Sequence, residues 1–168
     1  MKRDLRSAKI LKDAEKQLEG YVRTRAEQVG QRYVGILTDG ADWRAYALSG
    51  SAFVQAGRFE VKPRRTTPLE LLVWLEGVLA TAEGIKPTPD VIKGRLGAGS
   101  VSHGIDYTTL SALYAENKDL PTVQLKRELW ARLLRSALGA QFEDNDELFI
   151  EHTLLVNTAG IIAHSVLG

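Results

Sequence analysis

Arg32-Tyr33-Val34-Gly35-Ile36-Leu37, Thr38-Asp39-Gly40 and Asp42-Trp43-Arg44-Ala45-Tyr46-Ala47-Leu48 follow one another along the chain. The first run is rich in β-formers, the second is a turn signal, and the third alternates large apolar residues with others, as a half-buried strand does. Ser49-Gly50-Ser51 turns the chain again, and Ala52 to Gln55 with Arg58 to Val61 reads as a further hairpin around Ala56-Gly57. Together they make a small antiparallel meander. Upstream, Leu11, Ala14, Leu18, Tyr21 and Val22 recur at helical spacing between about Asp4 and Gln28, and Gly30 supplies the stop. The fold class that follows is α/β of the α+β kind, a long helix packed on a small, mainly antiparallel meander.

Downstream the pattern becomes helical. After the connector Pro63-Arg64-Arg65-Thr66, the run Thr67-Pro68-Leu69-Glu70 is a capping box, in which two side chains satisfy otherwise orphan backbone N–H groups. The helix behind it, with Leu71, Leu72, Val73, Trp74, Leu75, Val78 and Leu79, is apolar nearly all round and is expected to be central. Residues 84–105 are rich in Gly and Pro and are expected to be irregular. A short helix is expected over Tyr107 to Asn117. Another covers Thr122 to Leu138, with Leu129, Trp130, Leu133, Leu134 and Ala137 as its apolar face. The last runs from about Glu147 to Leu167, capped by Asp144 or Asp146. The chain therefore reads as an α/β part over residues 1–65 and a helical bundle over residues 66–168.

Composition narrows the class of protein. The chain has 168 residues, 44% apolar and 26% charged, with no Cys and a net charge of +1, which excludes collagen-like and disulfide-framework proteins. The basic N-terminus has no apolar run behind it, so a cytoplasmic location is expected. His152 to Gly168 lacks charge but is shorter than the roughly 20 apolar residues of a membrane span. It reads as a buried helix, and no membrane partner is expected. The net charge hides an asymmetry: residues 1–65 carry 14 Lys/Arg against 8 Asp/Glu, whereas residues 66–168 carry 8 against 13. A basic half beside an acidic one faces it, meets a polyanion, or is simply solvated surface charge.

Few constellations carry chemistry. Gln17 and Tyr21, four residues apart, project from one helix face, where an amide and a phenol can grip a phosphate; a surface Gln beside a core Tyr has the same spacing. Arg23, Arg25, Arg32, Arg44, Arg58, Lys62, Arg64 and Arg65, interleaved with Tyr33, Trp43 and Tyr46, suit the spaced phosphates of DNA without specifying a sequence. The glycines at 94, 97 and 99 are followed by no Walker lysine and read as a linker. Glu143, Asp144, Asp146 and Glu147 lack a calcium-loop spacing and read as helix caps, and His103, His152 and His164 lack metal-ligand spacing. There is no Gly-x-Ser-x-Gly elbow.

Three stretches in order carry a resemblance. They are Gln17-Leu-Glu-Gly-Tyr21-Val, Val34 through Trp43 to Tyr46, and Lys126-Arg-Glu-Leu-Trp130 running on through Asp146 to Thr153 and Ala163 to Gly168. This order resembles the N-terminal region of bacterial restriction-modification proteins that fuse a PD-(D/E)XK endonuclease, through a helical connector, to an adenine-type DNA methyltransferase. The resemblance is thin over residues 84–106. It implies that Gln17 and Tyr21 match the Gln-x-x-x-Tyr helix following the nuclease active-site strand, with Lys2 at the place of the (D/E)-x-Lys lysine. Only Met1 precedes Lys2, so the carboxylates that such nucleases use to hold Mg²⁺ are absent. The resemblance therefore implies a fragment of a longer enzyme, with no metal site of its own and no cleavage by this chain alone, Mg²⁺ serving the full-length protein. Lys2, Gln17 and Tyr21 would be the remnant of the nuclease site. Arg23, Arg25, Arg32, Arg44, Arg64 and Arg65 would contact DNA, and the helical half would dock the methyltransferase domain. The alternative is a non-catalytic protein–protein interaction module that binds no DNA.

Overall fold

Gly30 adopts the left-handed conformation (φ 67°) and donates its N–H to the Ala26 carbonyl, which ends the first helix where the sequence places the stop. The computed structural model describes residues 5–79, 86–139 and 142–167, with side chains described as far as residue 164. Helix α1 spans Ala8–Val29, and β1 (Gly35–Thr38), β2 (Asp42–Ser49) and β3 (Ala52–Glu60) follow. They form one antiparallel sheet in the order β1-β2-β3, the meander read from the sequence. Helices α2 (Pro68–Leu79), α3 (Pro89–Leu96), α4 (Val101–Asn117), α5 (Pro121–Leu138) and α6 (Asp146–Leu167) complete the chain.

Apolar residues on one face of α1 meet one face of the sheet. Leu5, Ala14, Leu37 and Tyr46 form a buried cluster, with Leu11, Leu18 and Phe53 packed against it. Gly35 admits the helix to the strand, because a Cβ there would sit 2.9 Å from Leu18 Cγ. The Tyr46 ring stacks on Phe53 at 5.1 Å, and its hydroxyl donates to Glu15 Oε1 at 2.6 Å. Burial, reinforced by Glu15, raises the Tyr46 phenol pKa.

The β1–β2 turn is fixed by one side chain. Asp39 Oδ1 accepts from the backbone N–H groups of Ala41 and Asp42, and Oδ2 accepts from Leu5 N–H. Those backbone donors, Asp42 foremost, hold the Asp39 carboxyl down to about 2. A folded-state pKa below the unfolded one gives stability that is complete above about pH 4 and is lost as pH falls toward 2. Asp39→Asn is expected to flatten that acid limb in thermal melts taken between pH 4 and pH 2. An unchanged acid limb in the variant would contradict this role.

Several expectations need correction. Ala56-Gly57 is no turn: β3 runs unbroken through it, and Gly57 is where Val101 of α4 presses on the sheet, a Cβ there falling 2.6 Å from Val101 Cγ2. Of the stretch 84–105, residues 84 and 85 lie outside the described residues, and residues 86–105 are not irregular throughout. Thr88 caps α3 by accepting from Val91 N–H, Pro89 and Asp90 favour its first turn, and α4 begins at Val101. Gly104 serves packing instead, since a Cβ there would lie 1.9 Å from the Ala56 carbonyl oxygen, whereas Gly94 and Gly99 have open space at that position. The capping box of α2 is present, with Thr67 N–H donating to Glu70 Oε2 at 2.6 Å and Glu70 N–H to Thr67 Oγ1 at 3.4 Å. Yet α2 is not central; it has no buried residue, and Leu69 is 66% exposed. The cap of α6 is Asn145, whose Oδ1 accepts from Leu148 N–H, not Asp144 or Asp146.

The chain divides into two compact units, Met1–Thr109 and Leu110–Gly168, a division inside α4 and not at the charge step near residue 65. Residues 68–79 and 101–108 pack with the sheet, as the contacts of Trp74 with Phe59 and of Val101 with Gly57 show. The second unit is built around Trp130. Its ring meets Phe142 and Phe149 edge-on at 5.4 and 5.1 Å, and its indole N–H donates to His152 Nδ1 at 3.0 Å. On α5 the face turned inward carries Ala131, 5% exposed, so Leu129 and Leu133 lie outside, contrary to the sequence reading. α6 is buried only in part: Ile150 and Leu154 are covered, whereas Leu155, Val156 and Ile161 are exposed. Among the described residues no helix is long and apolar enough to cross a membrane.

Candidate nucleic-acid interface

Helical geometry carries Gln17 and Tyr21 to the flank of α1 beside β1. With Ala14, Leu18, Ile36, Leu37 and Thr38 they line a cleft of about 160 Å³, and Tyr21 stands 74% exposed at its mouth. The spacing argument therefore places both side chains together. Lys2 lies outside the described residues. The two carboxylates nearest Gln17 and Tyr21 in sequence are already engaged, Glu15 by the Tyr46 hydroxyl and Glu19 by the Arg23 guanidinium. The cleft residues themselves include no carboxylate and do not fit a Mg²⁺ site. Among the described residues no group of three or more His, Asp or Glu is placed to hold a metal ion.

The arginines separate into two classes. Arg44 gives its guanidinium to Asp42 at 2.8 Å and is 14% exposed at the side chain. Arg58 grips the same carboxylate at 2.8 Å. Arg23 pairs with Glu19 at 2.7 Å and also donates to the Ser51 carbonyl, and Arg32 donates to Thr109 Oγ1. As placed, these four hold the fold. Arg25, Arg64 and Arg65 are exposed and make no ion pair among the described residues. The same holds for Lys9, Lys12, Lys16 and Lys62, none of the three helical lysines having entered the sequence reading. Their signal was available: spacing of three and four residues puts Lys9, Lys12 and Lys16 on one face of α1, opposite Ala14, Leu18 and Val22.

Topology gathers most of these cations. Leu5 N–H bonds to Asp39 at 3.0 Å, which ties the chain just before α1 to the β1–β2 turn. Val61 N–H bonds to the Ala41 carbonyl at 2.7 Å, which brings the segment after β3 to that same turn. Lys9 and Lys12 therefore share one end of the sheet with Lys62, Arg64 and Arg65. Arg25 lies toward the other end of α1. A polyanion laid across the first end would meet cations from two chain segments without displacing an existing ion pair.

The acidic residues near position 144 have structural work in the second unit. Asp144 pairs with Arg127 and Arg135, and Asp146 accepts from Arg127 and from the Tyr114 hydroxyl. Arg127 also lies 4.7 Å from the Trp130 ring centroid. Together with Lys118, Asp119, Gln124, Glu128 and Ala131 they line a cleft of about 550 Å³.

No protein-family model, curated protein or solved structure matches the chain.

Proposed function

We propose that this chain is part of a DNA restriction-modification protein, in which the unit Met1–Thr109 contacts the DNA backbone and the unit Leu110–Gly168 docks a methyltransferase domain. The observation that carries the DNA reading is the set of exposed cations at one end of the sheet, Lys9, Lys12, Lys62, Arg64 and Arg65, which make no ion pair among the described residues. Cations without internal partners bind phosphate at no cost in broken ion pairs, and they confer affinity without base specificity. Gln17 and Tyr21, on the flank of the same helix, are polar groups suited to a sugar-phosphate contact. The docking role draws support from apolar exposure in the second unit, where Leu133, Leu155 and Ile161 are 71%, 63% and 68% exposed.

That same exposure favours the second reading, an interaction module without DNA. A gel-shift titration with duplex DNA at about 50 and 200 mM salt separates the two. The DNA reading expects a shift at low salt and a loss of one to several orders of magnitude in affinity at high salt, as counterion release requires. Absence of a shift at low salt selects the interaction module.

A further inference from the structure

Lys62-Pro63-Arg64-Arg65 closes as a β-turn, with Arg65 N–H donating to the Lys62 carbonyl at 3.0 Å. Pro63 sits at the second position, where its fixed φ is preset. The third position is left-handed, and there stands Arg64, with φ 65°, the single non-glycine residue of positive φ in the described chain. Turns of this kind call for Gly or Asn at that place, because a Cβ is disfavoured in left-handed backbone. The conformation is held from both sides. Thr66 N–H also donates to the Lys62 carbonyl at 2.9 Å, and Thr66 Oγ1 accepts from Lys62 N–H at 2.8 Å. A locked turn thus presents Lys62, Arg64 and Arg65, three exposed cations in four residues, and breaks a local rule of turn chemistry to do so.

We propose that this turn is a preset clamp for a phosphodiester of the nucleic-acid backbone, with Arg64 and Arg65 as its contacts and Thr66 as the residue that positions them. The proposal rests on the DNA reading above and adds the site. A flexible basic loop would have to order its long side chains on binding; this one has its backbone ordered beforehand, and the arginine fork matches phosphate oxygens. A purely structural turn would carry Gly or Asn at position 64, and nothing in the packing asks for a cation there.

The test compares variants by fluorescence anisotropy with a labelled 20-base-pair duplex over a salt series, alongside thermal melts. Arg64→Asn keeps a residue that accepts left-handed backbone, so its Tm should equal or exceed that of the parent. Its affinity should fall several-fold, and the slope of log K against log salt should become less negative by about one. Thr66→Val, which leaves all three cations, should weaken binding at nearly unchanged slope, and Thr66→Ser should restore it. If the parent binds DNA and Lys9→Ala with Lys12→Ala weakens it, while Arg64→Asn binds as the parent does, the clamp is overturned and the DNA reading stands. If the parent does not bind at low salt, both fall.

Discussion

Asp42→Ala is expected to cost the sheet unit about 3 kcal/mol, because it removes one carboxylate that two guanidiniums share. Asp42 is 7% exposed and accepts from Arg44 at 2.8 and 3.1 Å and from Arg58 at 2.8 and 3.1 Å. Burial alone would raise its pKa, but the hydrogen bonds from Arg58 and Arg44 outweigh that and hold the carboxyl below its ordinary value. Its contribution is therefore present at neutral pH and lost as pH falls through the acid range. Removing it leaves Arg44, 14% exposed, without its counter-charge, whereas Arg58, 49% exposed, turns to water. The half-exposed partner keeps the cost at the lower end of the range for broken buried pairs. A domain of this size is stable by only about 5–15 kcal/mol, so a urea melt followed by circular dichroism should show a large fall in midpoint. A change below about 1 kcal/mol would show that the pair of ion bridges does not hold the strands together.

Trp130→Ala is expected to cost the helical unit about 3–4 kcal/mol. The ring is the contact shared by Phe142, Phe149 and His152, and the face on which Arg127 rests. The unit Leu110–Gly168 is small, and its ordinary stability would be about 3–9 kcal/mol, so the loss approaches the whole. Hydrogen exchange should show amides of α5 and α6 losing protection in the variant while those of β2 and β3 keep theirs. Trp130→Phe retains the aromatic contacts and loses the hydrogen bond to His152, so it should cost about 1 kcal/mol. Unchanged protection of α5 and α6 in Trp130→Ala would contradict the placement of this ring at the centre.

The elements that local chemistry decides were legible in the sequence. Gly30 ends α1, the Thr67 and Glu70 pair opens α2, and Trp43 to Leu48 lies in the middle strand, although its burial does not alternate as the sequence suggests, Ala45, Tyr46 and Ala47 being buried in succession. What failed depended on distant partners. Glycine content over residues 84–105 reads as a loop unless one knows that Gly57 and Gly104 lie where a helix crosses the sheet. The apolar circumference of α2 reads as burial, but hydropathy names no partner, and Leu69 and Leu72 face water. In the candidate site, the four-residue spacing sufficed for Gln17 and Tyr21. The basic end did not show, because Lys9 and Arg64 are far apart in the chain, and only the hydrogen bonds of Leu5 and Val61 tie their segments to the same β1–β2 turn. Nor could charge alone tell Arg44, held by Asp42, from Arg64, which has no carboxylate partner among the described residues.

The claim that the exposed cations of the sheet unit meet DNA phosphates is tested most directly by the salt dependence of duplex binding by the intact chain. Contact through three or more of Lys9, Lys12, Lys62, Arg64 and Arg65 gives a slope of log K against log salt of about −3 or steeper, at roughly −0.9 per phosphate. A slope near zero, or no measurable binding at about 50 mM salt, would contradict it.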